Sequence, residues 1–220
     1  MSAAQATLRV FTTTADSGML DRRLEPMSID AFFAWQEAQA ERYELVGGVP
    51  VRMMAGARNV HDDIVVNILA WLRTALRGSG CRPFTGDGSV ETLPGQIRRP
   101  DIGVDCGSRD PNALKAAQPR LVVEVLSPST RDFDAFEKLG EYRTMADLEH
   151  ILLVEPNAAE LRLWTRDPDR HWAETRLLGL DATVPLLAFG IAMPAAEIYD
   201  GVAFPSRPRL VPGEPGGSAG

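Results

Sequence analysis

At 220 residues and 24.0 kDa the chain suits one domain with a sizeable core, and its 45% hydrophobic and 24% charged content is that of a soluble globular protein. No apolar stretch approaches the length needed to cross a bilayer. The net charge of −7 excludes nucleic-acid binding by broad electrostatic attraction and confines any such contact to a local patch.

Residues 1–24 show no sustained periodicity and read as an arm ahead of a single domain over 25–204. Ser28 is placed to cap a helix over about 29–40, with Ile29, Phe32, Phe33 and Trp35 as its apolar side. Strands over 42–46 and 49–53 flank Gly47-Gly48, a hairpin signal. Asn59 is the expected cap of a helix reaching Arg77, with Ile64, Ile68, Leu69, Leu72 and Leu76 buried and Gly78 as its stop. Short strands are predicted over 81–85, 88–92 and 101–105, with Pro94-Gly95 as a turn.

A β-α-β unit forms the centre. A strand over 120–126 leads through Ser127-Pro128-Ser129-Thr130 into a helix over about 131–147, whose core side carries Phe133, Phe136, Leu139 and Tyr142. The apolar segment 150–155 reads as the next buried strand, so the two strands should be parallel neighbours with a right-handed crossover. Strands over 159–165 and 171–178 form a hairpin, and Pro194 opens a short last helix through Tyr199. From residue 205 Pro, Gly and Ser accumulate, and 205–220 is expected to be a disordered tail. The pattern predicts an α/β (α+β) fold with a central mixed sheet flanked by helices.

Glu124 is out of place in this pattern. It interrupts Leu121-Val122-Val123-Glu124-Val125-Leu126, otherwise a buried strand, where an ionised carboxylate without a partner is strongly unfavourable. A cationic side chain or a metal ion must offset that cost. Asp101, in Arg99-Pro100-Asp101 at the head of another strand, is a second carboxylate that could share an ion. Lys138 lies on the helix that follows. Of 23 basic residues only Lys115 and Lys138 are lysines, so Lys138 is a candidate for chemistry that arginine cannot perform. A Pro-Asp pair, a Glu inside an apolar strand and a nearby Lys are the chemistry of a metal-dependent phosphodiesterase.

The assembled motifs resemble the Uma-type (Uma-two) restriction endonuclease family of the PD-(D/E)XK nuclease superfamily. The matching residues are Tyr43-Glu44-Leu45-Val46-Gly47-Gly48, His61 with Ile64, Arg99-Pro100-Asp101, the Glu124 strand with Ser127-Pro128-Ser129-Thr130, and Glu137-Lys138-Leu139 with Tyr142. The chain departs from the family where Gly47-Gly48-Val49 replaces Asp-Gly-Glu. It departs from the wider superfamily where Leu126 occupies the usual lysine position; Lys138 matches the family's relocated lysine. The resemblance implies a restriction-endonuclease-like core and a nuclease acting on DNA. It implies that Asp101 and Glu124, with the Val125 carbonyl and waters, hold Mg²⁺ or Mn²⁺, since hard oxygen donors select those ions. Lys138 would orient or help deprotonate the attacking water, or stabilise the transition state, and Glu44 would bind a second ion or position water. Nucleic-acid contacts are expected at Arg98, Arg99, Ser127 and Ser129, and nucleases of this fold are often homodimers.

Plainer roles exist for each residue. Asp101 could be a turn carboxylate, Glu124 a buried ion-pair member, Glu44 part of an exposed strand face, and Lys138 the partner of Asp134 on a helix surface. Arg98 and Arg99 are either ion-pair partners or phosphate contacts. His61 reads as a structural helix residue, and Ser127 and Ser129 as helix caps. Cys81 and Cys106 make neither a disulfide framework nor a metal spacing, and the N-terminus lacks a secretion signal, so a cytoplasmic location is expected. A scaffold or nucleic-acid-binding protein with a weakened site is the alternative function; hydrolysis of a small phosphodiester is a third.

Overall fold

The computed structural model describes residues 26–53, 58–126 and 134–205, the side chains of 134–136 excepted. The arm expected over 1–24 and the tail beyond 205 lie outside the described residues. The elements, in chain order, are α1 (Ile29–Gln36), β1 (Tyr43–Val46), β2 (Val49–Arg52), α2 (Asn59–Ala75), β3 (Arg82–Thr85), β4 (Val90–Glu91), β5 (Ile97–Arg98), β6 (Ile102–Asp105) and β7 (Pro119–Val125). They continue with α3 (Asp134–Tyr142), β8 (His150–Glu155), β9 (Glu160–Arg166), β10 (Trp172–Leu178), β11 (Thr183–Leu186), a 3₁₀ turn (Leu187–Phe189), β12 (Ile191–Pro194) and α4 (Ala195–Ile198).

The main sheet has six strands in the order β10-β9-β8-β7-β6-β3. Only β7 and β8 run parallel within it, joined by the α3 crossover, and their neighbours are antiparallel. It is the mixed sheet that the β-α-β pattern implies. One face carries Leu121, Val123, Val125, Leu152 and Val154 against Ile64, Ile68 and Leu72 of α2 and Ile198 of α4. Alternation sends Val122, Ile151 and Leu153 to the other face, where Leu139 and Tyr142 of α3 meet them. Each such fully buried aliphatic side chain contributes about 1.5–3 kcal/mol. A second sheet, β2-β1-β5-β4, packs Leu45 and Ile97 on Phe32 and Phe33 of α1.

Local signals explain most boundaries. The Ser28 hydroxyl accepts from Ala31 N–H at 3.2 Å and caps α1. Gly47 and Gly48 have φ of 57° and 79°, the left-handed values of a two-residue hairpin turn. A Cβ on Gly48 would also lie 2.4 Å from Pro26 Cβ, so two constraints select glycine there.

Four expectations need correction. Asn59 is the first residue of α2, not its cap: Arg58 is the cap and makes no side-chain cap bond. The helix expected to reach residue 147 ends at Tyr142, its start at 131 lying outside the described residues. The β5 strand and the β11–β12 hairpin were not anticipated; β5 is two residues long, too short to show a period. Cys81 and Cys106 form a disulfide. Antiparallel pairing of Arg82 with Asp105 sets the two cysteines opposite each other, a proximity that their spacing in sequence cannot reveal. Their pairing removes one support for a cytoplasmic location. Among the described residues no helix is long and apolar enough to cross a membrane.

His150, buried at the start of β8, yields a pH prediction. Its Nε2 accepts from Ala188 N–H at 3.1 Å and its Nδ1 lies 3.3 Å from Thr165 Oγ1, so the ring must be neutral with the proton on Nδ1. Burial lowers its pKa to about 4. The neutral ring therefore stabilises the fold fully above pH 6.5, and that contribution is lost as pH falls from 6.5 towards 4, by about 3 kcal/mol. Urea midpoints should fall across that window in the wild type. In His150→Gln, which retains an acceptor but does not titrate, the fall should be much smaller.

Candidate active site

Asp101 and Glu124 are brought together by strand register. Ile102 of β6 pairs with Val123 of β7, and continuing the antiparallel pairing by one residue sets Asp101 opposite Glu124. Cross-strand neighbours share a face, so both carboxylates belong to one side of the sheet. The backbone N–H of Val125 donates to Asp101 Oδ2 at 2.7 Å, which fixes the aspartate against β7. On the same oxygen His61 Nε2 sits at 3.2 Å, delivered by the first turn of α2. This hydrogen bond is the main cause of a raised His61 pKa, opposed by partial burial. His61 thus holds the carboxylate that its helix faces, a part that its position near a helix start did not disclose.

Glu124 keeps part of its surface exposed, but its carboxyl group is withdrawn from water. That withdrawal is the largest cause of a pKa pushed up to about 7; Asp101 and Glu44 act in the same direction, while Lys138 and Tyr142 oppose them. The Tyr142 hydroxyl donates to Glu124 Oε1 at 2.7 Å. Burial and the adjacent Glu124 charge keep that phenol protonated, its pKa well above the usual value. The ion-pair explanation of Glu124 is thus only partly met: the nearby lysine does not restore an ordinary carboxylate. Such an under-neutralised pair is what a divalent cation offsets.

Lys138 reaches this corner from α3. Its Nζ is 3.1 Å from Glu44 Oε1, with side-chain exposures of 14% and 6%, so it is not a surface helix residue. Glu44 is not on an exposed face either. Its Oε1 also accepts from Arg99 N–H at 3.0 Å, and its Oε2 accepts from Arg98 Nη1 at 3.0 Å. Arg98 completes the link: Nε and Nη2 fork onto Glu141 of α3 at 2.8 and 2.5 Å. Thr92 adds a 2.8 Å bond to Glu141 Oε2. Burial opposes the charge on Arg98, yet its two carboxylate partners raise its pKa overall. The small sheet therefore grips α3 through Arg98 and presents Lys138 towards Glu124.

Arg98 and Arg99, expected as ion-pair partners or phosphate contacts, are buried among protein partners. They are 3% and 8% exposed, and Arg99 donates to the carbonyls of Tyr43 at 3.1 Å and Asp87 at 2.5 Å. The ion-pair alternative holds for Arg98, and Arg99 is a backbone clamp. Ser127 and Ser129 lie outside the described residues.

The donor set fits a hard cation. Among the described residues no group of three or more His, Cys, Asp and Glu side chains forms a metal cluster. Mg²⁺ does not require one, since it usually takes one or two carboxylates and fills the remaining positions with water and substrate phosphate. Two facing carboxylates beside a strand-end carbonyl match that chemistry.

The sequence matches the family described as Uma2, "Putative restriction endonuclease", over residues 29–196. The chain belongs to the Uma2 family. Uncharacterized protein slr1290 of Synechocystis sp. (strain ATCC 27184 / PCC 6803 / Kazusa) is 30% identical over 180 residues, covering 81% of this chain and 94% of that protein. Uncharacterized protein sll1609 of the same strain is 26% identical over 155 residues, covering 68% and 86%. A crystal structure described as "a putative nuclease belonging to DUF820 from Anabaena variabilis ATCC 29413" aligns with a TM-score of 0.63 at 17% identity. It covers 81% of this chain and all of that one, which establishes a shared fold. The Uma2 match spans β1, α2, β7 and α3, which carry Glu44, His61, Glu124 and Lys138, and Asp101 immediately before β6.

Proposed function

We propose that this protein is a Mg²⁺- or Mn²⁺-dependent endonuclease acting on DNA. The observation that carries the proposal is the meeting of Asp101 and Glu124 across β6 and β7, with Lys138 presented from α3 beside them. Membership of the Uma2 family supports the same reaction class.

Asp101, Glu124 and the Val125 carbonyl would hold the ion, with His61 and the Val125 N–H keeping Asp101 in orientation. When bound, the ion supplies an activated water and charge stabilisation at the scissile phosphate. Lys138 then orients that water or stabilises charge on the phosphate, a compact ammonium being able to serve both the Glu44 carboxylate and an incoming oxygen. Glu44 is proposed to position Lys138: the three donors that already occupy its oxygens favour this over a second ion. Tyr142 holds Glu124 through one oxygen and leaves the other for the ion.

Plasmid nicking in Mg²⁺ or Mn²⁺, against EDTA, tests the reaction class. Metal-dependent conversion of supercoiled to nicked or linear DNA is expected. A preparation that hydrolyses bis(p-nitrophenyl) phosphate but leaves the plasmid intact would replace DNA by a small phosphodiester as substrate.

Ion binding should also stabilise the fold by mass action. Millimolar Mn²⁺ should raise the wild-type melting temperature, and the rise should be absent in Asp101→Ala. Equal rises in both proteins would remove Asp101 from the ion site.

A further inference from the structure

At the far end of α2 lies a cleft of about 440 Å³ lined by Arg73, Arg77, Arg82 and Arg109, with no acidic residue in its wall. In a chain of net charge −7 this concentration calls for an explanation. Arg82 is neutralised, donating to Asp105 at 2.6 Å and to the Gly107 carbonyl at 2.9 Å. Arg73, Arg77 and Arg109 are exposed and have no ion pair among the described residues. The negative end of the helix dipole accounts for a cation at Arg73 or Arg77. It does not account for Arg109, which arrives at the same cleft from the loop after β6. The rest of the wall is Gly78, Gly80, Cys81, Pro83 and the buried Leu76, which offers no aromatic or aliphatic anchor for a protein partner. The cleft adjoins a second one along the β3 edge that shares Arg73, Arg82 and Arg109 but also carries Glu37, Asp87, Asp105 and Asp110, so the uncompensated positive charge is confined to the first cleft. Pro83 on that edge strand discourages pairing with another β-strand.

We infer that this cleft is a docking site for the phosphodiester backbone of duplex nucleic acid, separate from the carboxylate site. The inference rests on the nuclease reading and extends it to how an acidic protein holds its substrate. α2 fixes the spacing: His61 in its first turn touches Asp101, and Arg73 follows twelve residues later. At about 1.5 Å per residue that is about 18 Å, or about five base-pair steps of a duplex at 3.4 Å each. The guanidinium fork suits phosphate oxygens, and the cleft would fix position without reading sequence.

The test is fluorescence anisotropy of a labelled duplex of about twenty base pairs, in EDTA so that cleavage cannot interfere, across a salt series. The variant R73Q/R77Q/R109Q should bind at least about tenfold more weakly, and its slope of log K against log salt should be shallower by about 3, one for each phosphate no longer neutralised. The variant R73K/R77K/R109K should keep most of the slope. Since all three side chains are exposed, melting temperature and its Mn²⁺-dependent rise should match wild type in both. Equal binding and equal slope in wild type and the glutamine variant would overturn the docking site and leave the nuclease reading intact. Wild type that binds no duplex under any condition would overturn both. Polyglutamate competing as well as unlabelled duplex, charge for charge, would reassign the cleft to acidic proteins.

Discussion

Asp101→Ala and Glu124→Ala should each lose about a thousand-fold or more in duplex cleavage, together with metal binding, because each removes an ion ligand. Lys138→Ala should separate the two properties. Cleavage should fall by about a hundred- to a thousand-fold, the size expected for loss of one positioned proton-transfer or charge-stabilising group, while the Mn²⁺-dependent rise in melting temperature persists. Lys138→Arg should rescue poorly, since a planar fork replaces a compact charge wedged against Glu44 at 3.1 Å. Single-turnover rates and metal titrations on the four variants make the comparison. Wild-type cleavage by Lys138→Ala would reduce the lysine to a partner of Glu44.

Arg98→Ala should be among the most destabilising single substitutions in the chain, by about 3 kcal/mol, because it removes the cation that joins Glu44 to Glu141 and leaves Glu141 without its guanidinium partner, while Glu44 keeps Lys138 and the Arg99 N–H. Its guanidinium is held by Glu44 and Glu141 together; Arg98 and Glu44 are buried, and Glu141 is partly buried. The loss should appear as a lower urea midpoint without a changed slope. A double variant, Arg98→Met with Glu141→Gln, should recover part of the stability by removing the Glu141 charge that Arg98 had paired. Cleavage in that variant should remain low, since α3 would no longer be gripped in the orientation that presents Lys138. A melting temperature unchanged in Arg98→Ala would show that the network does not hold α3.

How far these features were legible in the sequence depends on the range of the interactions that create them. Glu124 announced itself because its neighbours are apolar, a local contrast visible in six residues. The β7-α3-β8 unit followed from period and punctuation, and its parallel pairing from the crossover rule. Arg98 could not be placed in the same way: its partners are 54 and 43 residues away, and a surface arginine has the same local context. The same distance hid Glu44, which alternates with Tyr43 and Leu45 as an exposed strand residue also would. His61 was visible as a residue but not as the holder of Asp101, 40 positions on. The disulfide depended on the β3–β6 register, and the β11–β12 hairpin carries Pro185 within a strand, a signal that argues against one. Where chemistry disturbed a local pattern, it could be read; where it relied on two distant segments meeting, only the three-dimensional arrangement discloses it.

The most direct test of the two-carboxylate site is the rate of duplex cleavage as a function of Mn²⁺ concentration, in wild type and in Glu124→Gln. The substitution preserves the shape of the side chain and the acceptor for Tyr142, and it relieves the buried charge, so the variant should fold at least as stably without metal. The wild-type rate should rise with Mn²⁺ and saturate, whereas Glu124→Gln should stay at background throughout. Cleavage by the wild type in EDTA, or by Glu124→Gln at the wild-type rate, would contradict a metal held by Asp101 and Glu124.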